Sequence, residues 1–302
     1  MTEECIHGLD LDRCDICSPK AAVTTETATR APRQVKSPRL TSLRTPAAGA
    51  AAPVGVKRST PIVSSKPGID IGEQRMHHVT HLSNLPSILS SGIHADQSPL
   101  LTSRPTVDVS SADNRTARRS TPVAGETGST VADYVPFYLS PQASLWADFR
   151  SGTADPRFSP EASARPASEY VILVSTAKTL AVAAAAEQVR SGEDLATLAL
   201  AGQDDSVVTT DGDAADPRTR FGATGDSSTR MLQRIVTVKD SEELLEAEFL
   251  VKGSVAFESI TLIGVANDRA RDAVKVLLAT SKYKPRVVVH PPWFAVASDP
   301  ID

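Results

Sequence analysis

Glu248 is a residue whose type and position could do chemistry. It lies in "LLEAEFLVKG" (residues 244–253), an apolar run that predicts a β-strand. In such a strand Ala247, Phe249 and Val251 face one side, whereas Glu248 and Leu250 face the other. The carboxylate could therefore lie on a solvated face, or the strand could hold it at a reactive site.

Three further polar clusters precede Glu248 along the chain. "MHHVTHLSNLPSIL" places His78 and Thr80 on a predicted strand before a helix. "NRTARRSTP" carries Arg118 and Arg119 in a predicted loop, and "VADYVPFYLSP" is rich in aromatic residues. This order, with histidine and threonine first, then arginine, then glutamate, suits cleavage of the nicotinamide–ribose bond of NAD+.

Each of these residue types has a physical role in such a cleavage. The bond breaks through an oxocarbenium-like centre, which a nearby carboxylate stabilises by its charge. A histidine and a hydroxyl group on a rigid strand can hold the ribose and the nicotinamide amide, and an arginine can bind the pyrophosphate or the acceptor. The sequence contains neither G-x-G-x-x-G nor G-K-[ST], which argues against a Rossmann or P-loop phosphate site.

Four blocks in this order resemble the DarT family, the DNA ADP-ribosyltransferase toxins of DarT–DarG toxin–antitoxin pairs: "HHVTHLSNLPSIL", "TARRSTP", "DYVPFYLSP" and "EAEFLV". The resemblance spans residues 76–302. It implies a small split β-sandwich with helices, in which NAD+ lies in the cleft between the sheets. It also implies transfer of ADP-ribose to a base of single-stranded DNA, with thymidine favoured, and a DarG-like macrodomain antitoxin as partner.

The resemblance also implies roles for single residues. Glu248 matches the catalytic glutamate of the family. Arg119 matches the catalytic arginine, with Arg118, one position away, as the alternative. His78 and Thr80 match the residues of the first strand that hold NAD+.

Three stretches depart from the family pattern. The acidic "DSEELLE" stands where basic residues usually precede "AEFLV", and Asp213 stands where histidine or asparagine is common. "SPQASLWADF" lacks an arginine beside the expected acceptor site. NAD+ cleavage remains the expectation, and the departures bear on the DNA sequence preference and the rate.

The elements that must position these residues mix strands and helices without regular alternation, which predicts an α+β fold. "NLPSILSSGI" predicts a helix with Asn84 as N-cap and Gly92 as its stop. The other predicted helices are "TLAVAAAAEQVRSG" and "DRARDAVKVLLATS". The predicted strands are "YVPFYL", "EYVILVST", "SVVTTD", "RIVTV", "AEFLVKG", "ESITLIGVA" and "PRVVVH".

Residues 1–18 contain all three cysteines of the chain. Cys5, His7, Cys14 and Cys17 form a C-x-H-x6-C-x2-C pattern, and four thiolate and imidazole ligands are the usual set of a structural zinc site. The alternative is three reduced thiols without a metal, or an incidental disulfide. The pattern predicts a small zinc knuckle that serves as a docking module, because four protein ligands leave no open position for catalysis.

Residues 19–70 predict a disordered basic linker before a globular domain at residues 71–302. The segment is rich in Ala, Pro, Ser and Thr and has no aromatic residue, so it cannot bury enough apolar surface to offset its ordering entropy. Residues 18–70 hold nine Lys or Arg and two acidic residues, a charge of +7, whereas the whole chain carries −4.

Three classes of function remain open at this point. No apolar run approaches the ~18 residues of a membrane span, and the N-terminus lacks the apolar core of a secretory signal, so a cytoplasmic protein is expected. The first class is the DNA ADP-ribosyltransferase. The second is a non-enzymatic zinc-knuckle protein that binds nucleic acid and has a degenerate transferase domain. The third is an ADP-ribosyltransferase that acts on RNA or protein, which the net charge of −7 over residues 71–302 keeps open.

Overall fold

A computed structural model describes residues 70–123, 128–191, 205–238 and 241–296 of the 302-residue chain. The predicted zinc-binding segment, with Cys5, His7, Cys14 and Cys17, lies outside the described residues. So do residues 19–69 of the predicted linker. The prediction of separate segments at 1–18, 19–70 and 71–302 therefore stays a prediction.

Strands form one large sheet and one small pair within the described part of the chain. The large sheet has eight strands in the order β10-β9-β4-β1-β3-β7-β5-β6, and β2 pairs with β8. All neighbouring pairs are antiparallel except β9 and β10, which are parallel. The strands are β1 (Arg75–His81), β2 (Ile93–His94), β3 (Tyr134–Tyr138), β4 (Tyr170–Thr176), β5 (Val207–Thr210), β6 (Phe221–Gly222), β7 (Glu248–Lys252), β8 (Ser254–Val255), β9 (Leu262–Val265) and β10 (Arg286–Val289).

The helices of the described residues lie between these strands in the chain. They are α1 (Leu85–Ser91), α2 (Ala112–Ser120), α3 (Ser144–Ser151), α4 (Pro160–Ser163), α5 (Ala177–Ser191), α6 (Gly225–Thr237), α7 (Glu242–Glu246) and α8 (Asp268–Leu278). Short 3-10 turns join several of these elements. A mixed α and β architecture with a mainly antiparallel sheet agrees with the predicted α+β class.

Two local predictions were wrong. "RIVTV" was predicted as a strand, but it lies in and just after the last turns of α6. Thr224 and Ser227 form a capping box that begins this helix, and Leu232 and Ile235 bury its inner face. "NRTARRSTP" was predicted as a loop, but its arginines lie on α2, which begins where the Ser111 hydroxyl accepts the Asn114 N–H.

Of all neighbouring strands in the large sheet, β1 and β3 share the fewest registered residue pairs. These strands share one registered pair, His77 opposite Tyr138, whereas β1 and β4 share seven. Pro136 has no backbone N–H to donate, which favours an end to pairing at this point of β3. The eight strands therefore divide into two groups of four, with a short contact between them.

Each face of the sheet is covered by different elements. Buried residues of α1, α5, α6 and α8, such as Leu85, Leu180 and Ile235, pack on one face. The other face carries Tyr170, Ile172 and Val174, which pack against Trp146 of α3 and Phe294 near the C-terminus. Burial of these apolar side chains is the main force that holds the layers together.

The C-terminal segment reaches the sheet only because residue 264 is a glycine. A Cβ atom added at Gly264 of β9 would lie 2.5 Å from the ring of Trp293. The Trp293 carbonyl accepts the Trp146 indole N–H at 2.6 Å, and the Trp293 ring meets that of His77 edge-on at 5.8 Å. The segment thereby connects β1, β9 and α3.

Candidate active site

A cavity of about 980 Å³ opens beside the contact between β1 and β3. This volume lies at the upper end of the range for ligand pockets, which is roughly 300–1,000 Å³. The walls come from β1, α1, the loop 95–110, α2, β3, α3, the loop 211–220 and the start of β7. The lining residues include His78, Thr80, Arg118, Tyr138, Asp213 and Glu248.

Glu248 and Arg118 form a two-pronged ion pair in this cavity. Arg118 Nη1 donates to Glu248 Oε1 at 3.1 Å, and Arg118 Nη2 donates to Oε2 at 2.9 Å. The Glu248 side chain is 4 % exposed and that of Arg118 is 15 % exposed. The interpretation of Glu248 as a solvated strand residue is therefore wrong. Burial lowers the pKa of Arg118, but the charge and hydrogen bonds of Glu248 outweigh it, so the net direction is upward.

Backbone and hydroxyl groups hold Glu248 from two further directions. The Ala214 N–H donates to Glu248 Oε1 at 3.0 Å. The Glu248 N–H donates to the Thr210 hydroxyl oxygen at 2.9 Å, and that hydroxyl donates to the Gly212 carbonyl at 2.7 Å. The end of β5 and the loop after it thus fix both the main chain and the carboxylate of Glu248.

His78 and Thr80 lie in the same cavity, on the β1 side. His78 Nδ1 is 2.9 Å from the Pro136 carbonyl oxygen, and burial lowers the pKa of His78 below its ordinary value. The Thr80 hydroxyl accepts from the Asn84 amide at 3.1 Å. Asn84 also exchanges two hydrogen bonds with the backbone of Val107, which ties the loop 95–110 to β1.

A line of side chains crosses the sheet beside the ion pair. His77, Tyr138 and Glu248 are directly opposite one another on β1, β3 and β7, so their side chains share one face. Burial lowers the pKa of His77 to about 4, which leaves its ring neutral at pH 7. Burial, and then the charge of Glu248, raise the pKa of the Tyr138 hydroxyl, so it stays protonated.

Arg119, the arginine that the sequence favoured, lies elsewhere on α2. Its Nε donates to Asp96 Oδ2 at 2.6 Å, and its side chain is 40 % exposed. Arg104 bridges Asp96 and Asp108 at 2.5 and 3.7 Å, and Asp108 also binds Arg115 at 2.7 Å. These ion pairs connect α2 to the loop 95–110, and all their members except Arg119 line the cavity.

Several residues at the site gave little signal in the sequence. Thr210 and Ala214 contact Glu248 from across β5 and its following loop, more than 30 positions away in the chain. Asp213 was noted in this loop as a departure from the family pattern, but the contacts of the loop depend on the pairing of β5 with β7. Tyr138 was visible only as one member of an aromatic cluster.

The described part of the chain contains no cluster of three or more His, Cys, Asp or Glu side chains that could hold a metal ion. In the same part of the chain, no helix is both long enough and apolar enough to cross a membrane.

Comparison with known proteins assigns this chain to a family. The family model described as "ssDNA thymidine ADP-ribosyltransferase, DarT" matches residues 77–295, which is more than half of the chain. The chain therefore belongs to the DarT family.

Similar proteins agree with this assignment. A curated "DNA ADP-ribosyl transferase" of Escherichia coli O127:H6 (strain E2348/69 / EPEC) is 32% identical over 103 residues, 34% of this chain. The match spans 44% of that relative's length. Thermus sp. 2.9 DarT in complex with ADP-ribosylated ssDNA shares the fold at TM-score 0.53 and 22% identity, over 74% of this chain and 96% of that one. The same Thermus protein in complex with NAD+ gives TM-score 0.50 and 22% identity, over 74% of this chain and 98% of that one.

Thr210 offers a test of how Glu248 is positioned. We expect Thr210→Val to lower the turnover rate about tenfold, because valine cannot accept the buried Glu248 N–H and an unsatisfied N–H costs about 1–3 kcal/mol. Thr210→Ser, which keeps the hydroxyl, should retain most of the activity. The measurement is kcat and KM for NAD+ in both variants. Equal turnover in the valine variant and the unchanged protein would contradict a positioning role.

Proposed function

We propose that this protein transfers ADP-ribose from NAD+ to a base of single-stranded DNA, with thymidine as the preferred acceptor. One observation carries the proposal. The buried Glu248 carboxylate is held in one orientation by Arg118 and by the Ala214 N–H, at the wall of a cavity of about 980 Å³, in a member of the DarT family. In the reaction, the bond between nicotinamide and ribose breaks and its electron pair leaves with nicotinamide. A ring nitrogen of the acceptor base then bonds to the same ribose carbon and releases its proton.

The roles of the site residues follow from their places in the cavity. Glu248 stabilises the positive charge that develops on the ribose. His78 and Thr80, on the β1 side, hold NAD+ where the pairing of β1 with β3 ends. This gap would correspond to the split of the predicted β-sandwich.

The choice between the two arginines rests on their contacts. The motif match favours Arg119 as the catalytic arginine. The ion pair with Glu248 favours Arg118, because an arginine that orients the carboxylate must touch it. We propose that Arg118 has this role and that Arg119 fastens the cavity wall through Asp96.

The direct test is a product analysis. The purified protein is incubated with NAD+ and single-stranded oligonucleotides that differ only in one central base, and the products are examined by mass spectrometry. We expect one ADP-ribose added to the thymidine oligonucleotide, with release of nicotinamide. Protein and RNA are offered in parallel, so modification of either one alone would favour the alternative acceptor class. NAD+ that neither binds nor turns over would favour the non-enzymatic nucleic-acid-binding protein.

Family membership also supports a partner. We propose that the protein acts as the toxin of a toxin–antitoxin pair and that a DarG-like macrodomain protein counteracts it. A macrodomain that removes the ADP-ribose from the modified oligonucleotide would restore its unmodified mass. A modified product that resists every such macrodomain would argue against this pairing.

The cysteine-rich segment gives a separate prediction. We propose that Cys5, His7, Cys14 and Cys17 bind one structural zinc ion, because their spacing supplies four ligands of the types that zinc prefers. Elemental analysis of the full chain under reducing conditions should find about one zinc per molecule. Cys14→Ser together with Cys17→Ser should lower this ratio towards zero. A ratio near zero in the unchanged protein would contradict the prediction.

A further inference from the structure

Arg157 is fixed at the cavity by two carboxylates. Its Nη1 donates to Asp213 Oδ2 at 2.7 Å. Its Nε and Nη2 donate to Asp155, with Nη2 at 2.5 Å from Oδ2 and Nε at 3.0 Å from Oδ1. The charges and hydrogen bonds of these two carboxylates raise the pKa of Arg157. The side chain is 32 % exposed, so one part of it is held while another part faces the cavity.

The main chain on both sides of this ion pair is also anchored near the reactive site. The Arg157 carbonyl accepts the N–H of Ser111, the N-cap residue of α2, the helix that carries Arg118. Asp213 directly precedes Ala214, whose N–H donates to Glu248. The Asp213 carbonyl accepts the Thr219 hydroxyl at 2.6 Å, which closes the loop 211–220. Arg157 is therefore connected to both halves of the Glu248–Arg118 pair.

The guanidinium group retains donors for a ligand. Arginine has five N–H hydrogens. Asp155 takes one from Nε and one from Nη2, and Asp213 takes one from Nη1, so one hydrogen remains on each of Nη1 and Nη2. Two hydrogen-bond donors on a rigid, charged plane suit an oxygen acceptor such as a phosphate or a base carbonyl.

Arg157 lies in a different part of the cavity lining from the residues that would hold NAD+. The residues that would hold NAD+, His78 and Thr80, come from β1. Arg157 belongs to a different wall, which α3, the loop 152–159 and the loop 211–220 build. A ligand bound beside Arg157 would therefore contact residues other than those that would hold NAD+.

We propose that Arg157 is a specificity residue that donates hydrogen bonds to an oxygen of the acceptor strand, next to the base that is modified. This inference rests on the proposed transfer to single-stranded DNA. Asp155 and Asp213 set the plane of the guanidinium group before the strand binds. Little side-chain entropy is then lost on binding, which strengthens the contact.

The test compares variants that break the ion pairs in different ways. Arg157→Ala should raise KM for the oligonucleotide or lower kcat/KM on the order of 10- to 100-fold, with unchanged binding of NAD+. Asp213→Ala should have a smaller effect, because Asp155 still holds the guanidinium group. Arg271→Ala is the matched control, since Arg271 on α8 is 33 % exposed and bound to two carboxylates, Asp268 and Asp272, but does not line the cavity. It should behave like the unchanged protein.

A purely structural role for Arg157 gives a different pattern. If the ion pair only joined two loops, Arg157→Ala and Asp213→Ala would lower activity equally and would lower thermal stability together. That result, or an unchanged kcat/KM for the oligonucleotide in Arg157→Ala, would overturn the inference. If the unchanged protein modifies no strand at all, the proposed function itself fails, and the two failures are thereby distinguished.

The salt dependence of oligonucleotide binding shows whether Arg157 contacts a phosphate oxygen or a base carbonyl. A phosphate contact adds about −0.7 to the slope of log K against log salt for a single strand. If Arg157→Ala loses that amount of slope, and if a neutral methylphosphonate at the adjacent position weakens binding by the unchanged protein but not by the variant, the contact is to a phosphate. An unchanged slope with lost discrimination between bases would assign it to a base carbonyl.

Discussion

Glu248→Gln is expected to lower the rate of ADP-ribose transfer by about 100-fold or more. Glutamine keeps the size and one oxygen acceptor, so the Ala214 N–H still has a partner. It lacks the negative charge that, in the proposed reaction, stabilises the ribose centre as nicotinamide leaves. The rate is measured on a thymidine oligonucleotide at saturating NAD+.

The matched control is Glu246→Gln, two positions earlier on α7. Glu246 also lines the cavity, whereas the two-pronged contact with Arg118 belongs to Glu248. We expect this variant to keep its activity within a few-fold of the unchanged protein. Thermal unfolding of both variants checks that the fold survives. Near-normal transfer by a folded Glu248→Gln protein would remove Glu248 from the reaction.

Arg118→Ala is expected to reduce transfer by a similar factor, and Arg119→Ala by only a few-fold. Arg118 is the partner that orients the buried carboxylate, whereas Arg119 forms a more exposed pair with Asp96. Removal of Arg118 leaves a buried carboxylate without its charge partner, which can cost about 3–5 kcal/mol of stability. The assay is therefore run well below the melting temperature of the variant.

Arg118→Lys separates the effect on catalysis from the effect on stability. Lysine keeps the charge and part of the stability but cannot donate in parallel to both carboxylate oxygens. We expect the lysine variant to fold well and to remain strongly impaired. A larger loss in Arg119→Ala than in either Arg118 variant would support the assignment that the sequence motif favoured.

The sequence predicted those elements whose signals are local. "NLPSILSSGI" became α1, which ends at Gly92 with φ +86°, a conformation that glycine adopts without strain. The apolar run at 169–176 became β4, which is buried along nearly its whole length. Each of these patterns lies within about ten residues, so no information about distant contacts was needed.

The local sequence could not show which of the two neighbouring arginines contacts Glu248. Arg118 and Arg119 are neighbours in the chain, but on a helix of about 3.6 residues per turn their side chains point about 100° apart. Which one reaches Glu248 depends on how α2 is rotated against the sheet. The hydroxyl of Thr210 depends in the same way on the register of β5 against β7. Such contacts are fixed by packing between elements and not by the motif that contains the residue.

The close approach of Trp293 to Gly264 has a practical consequence for protein engineering. A chain shortened before residue 291 would uncover β9 and His77, and would remove the acceptor of the Trp146 indole N–H. Since α3 lines the cavity, such trimming would disturb the wall where the acceptor strand is expected, far from the cut. Libraries that vary this region should therefore hold Gly264 and Trp293 fixed as a pair, because any side chain at position 264 would need a smaller residue at position 293.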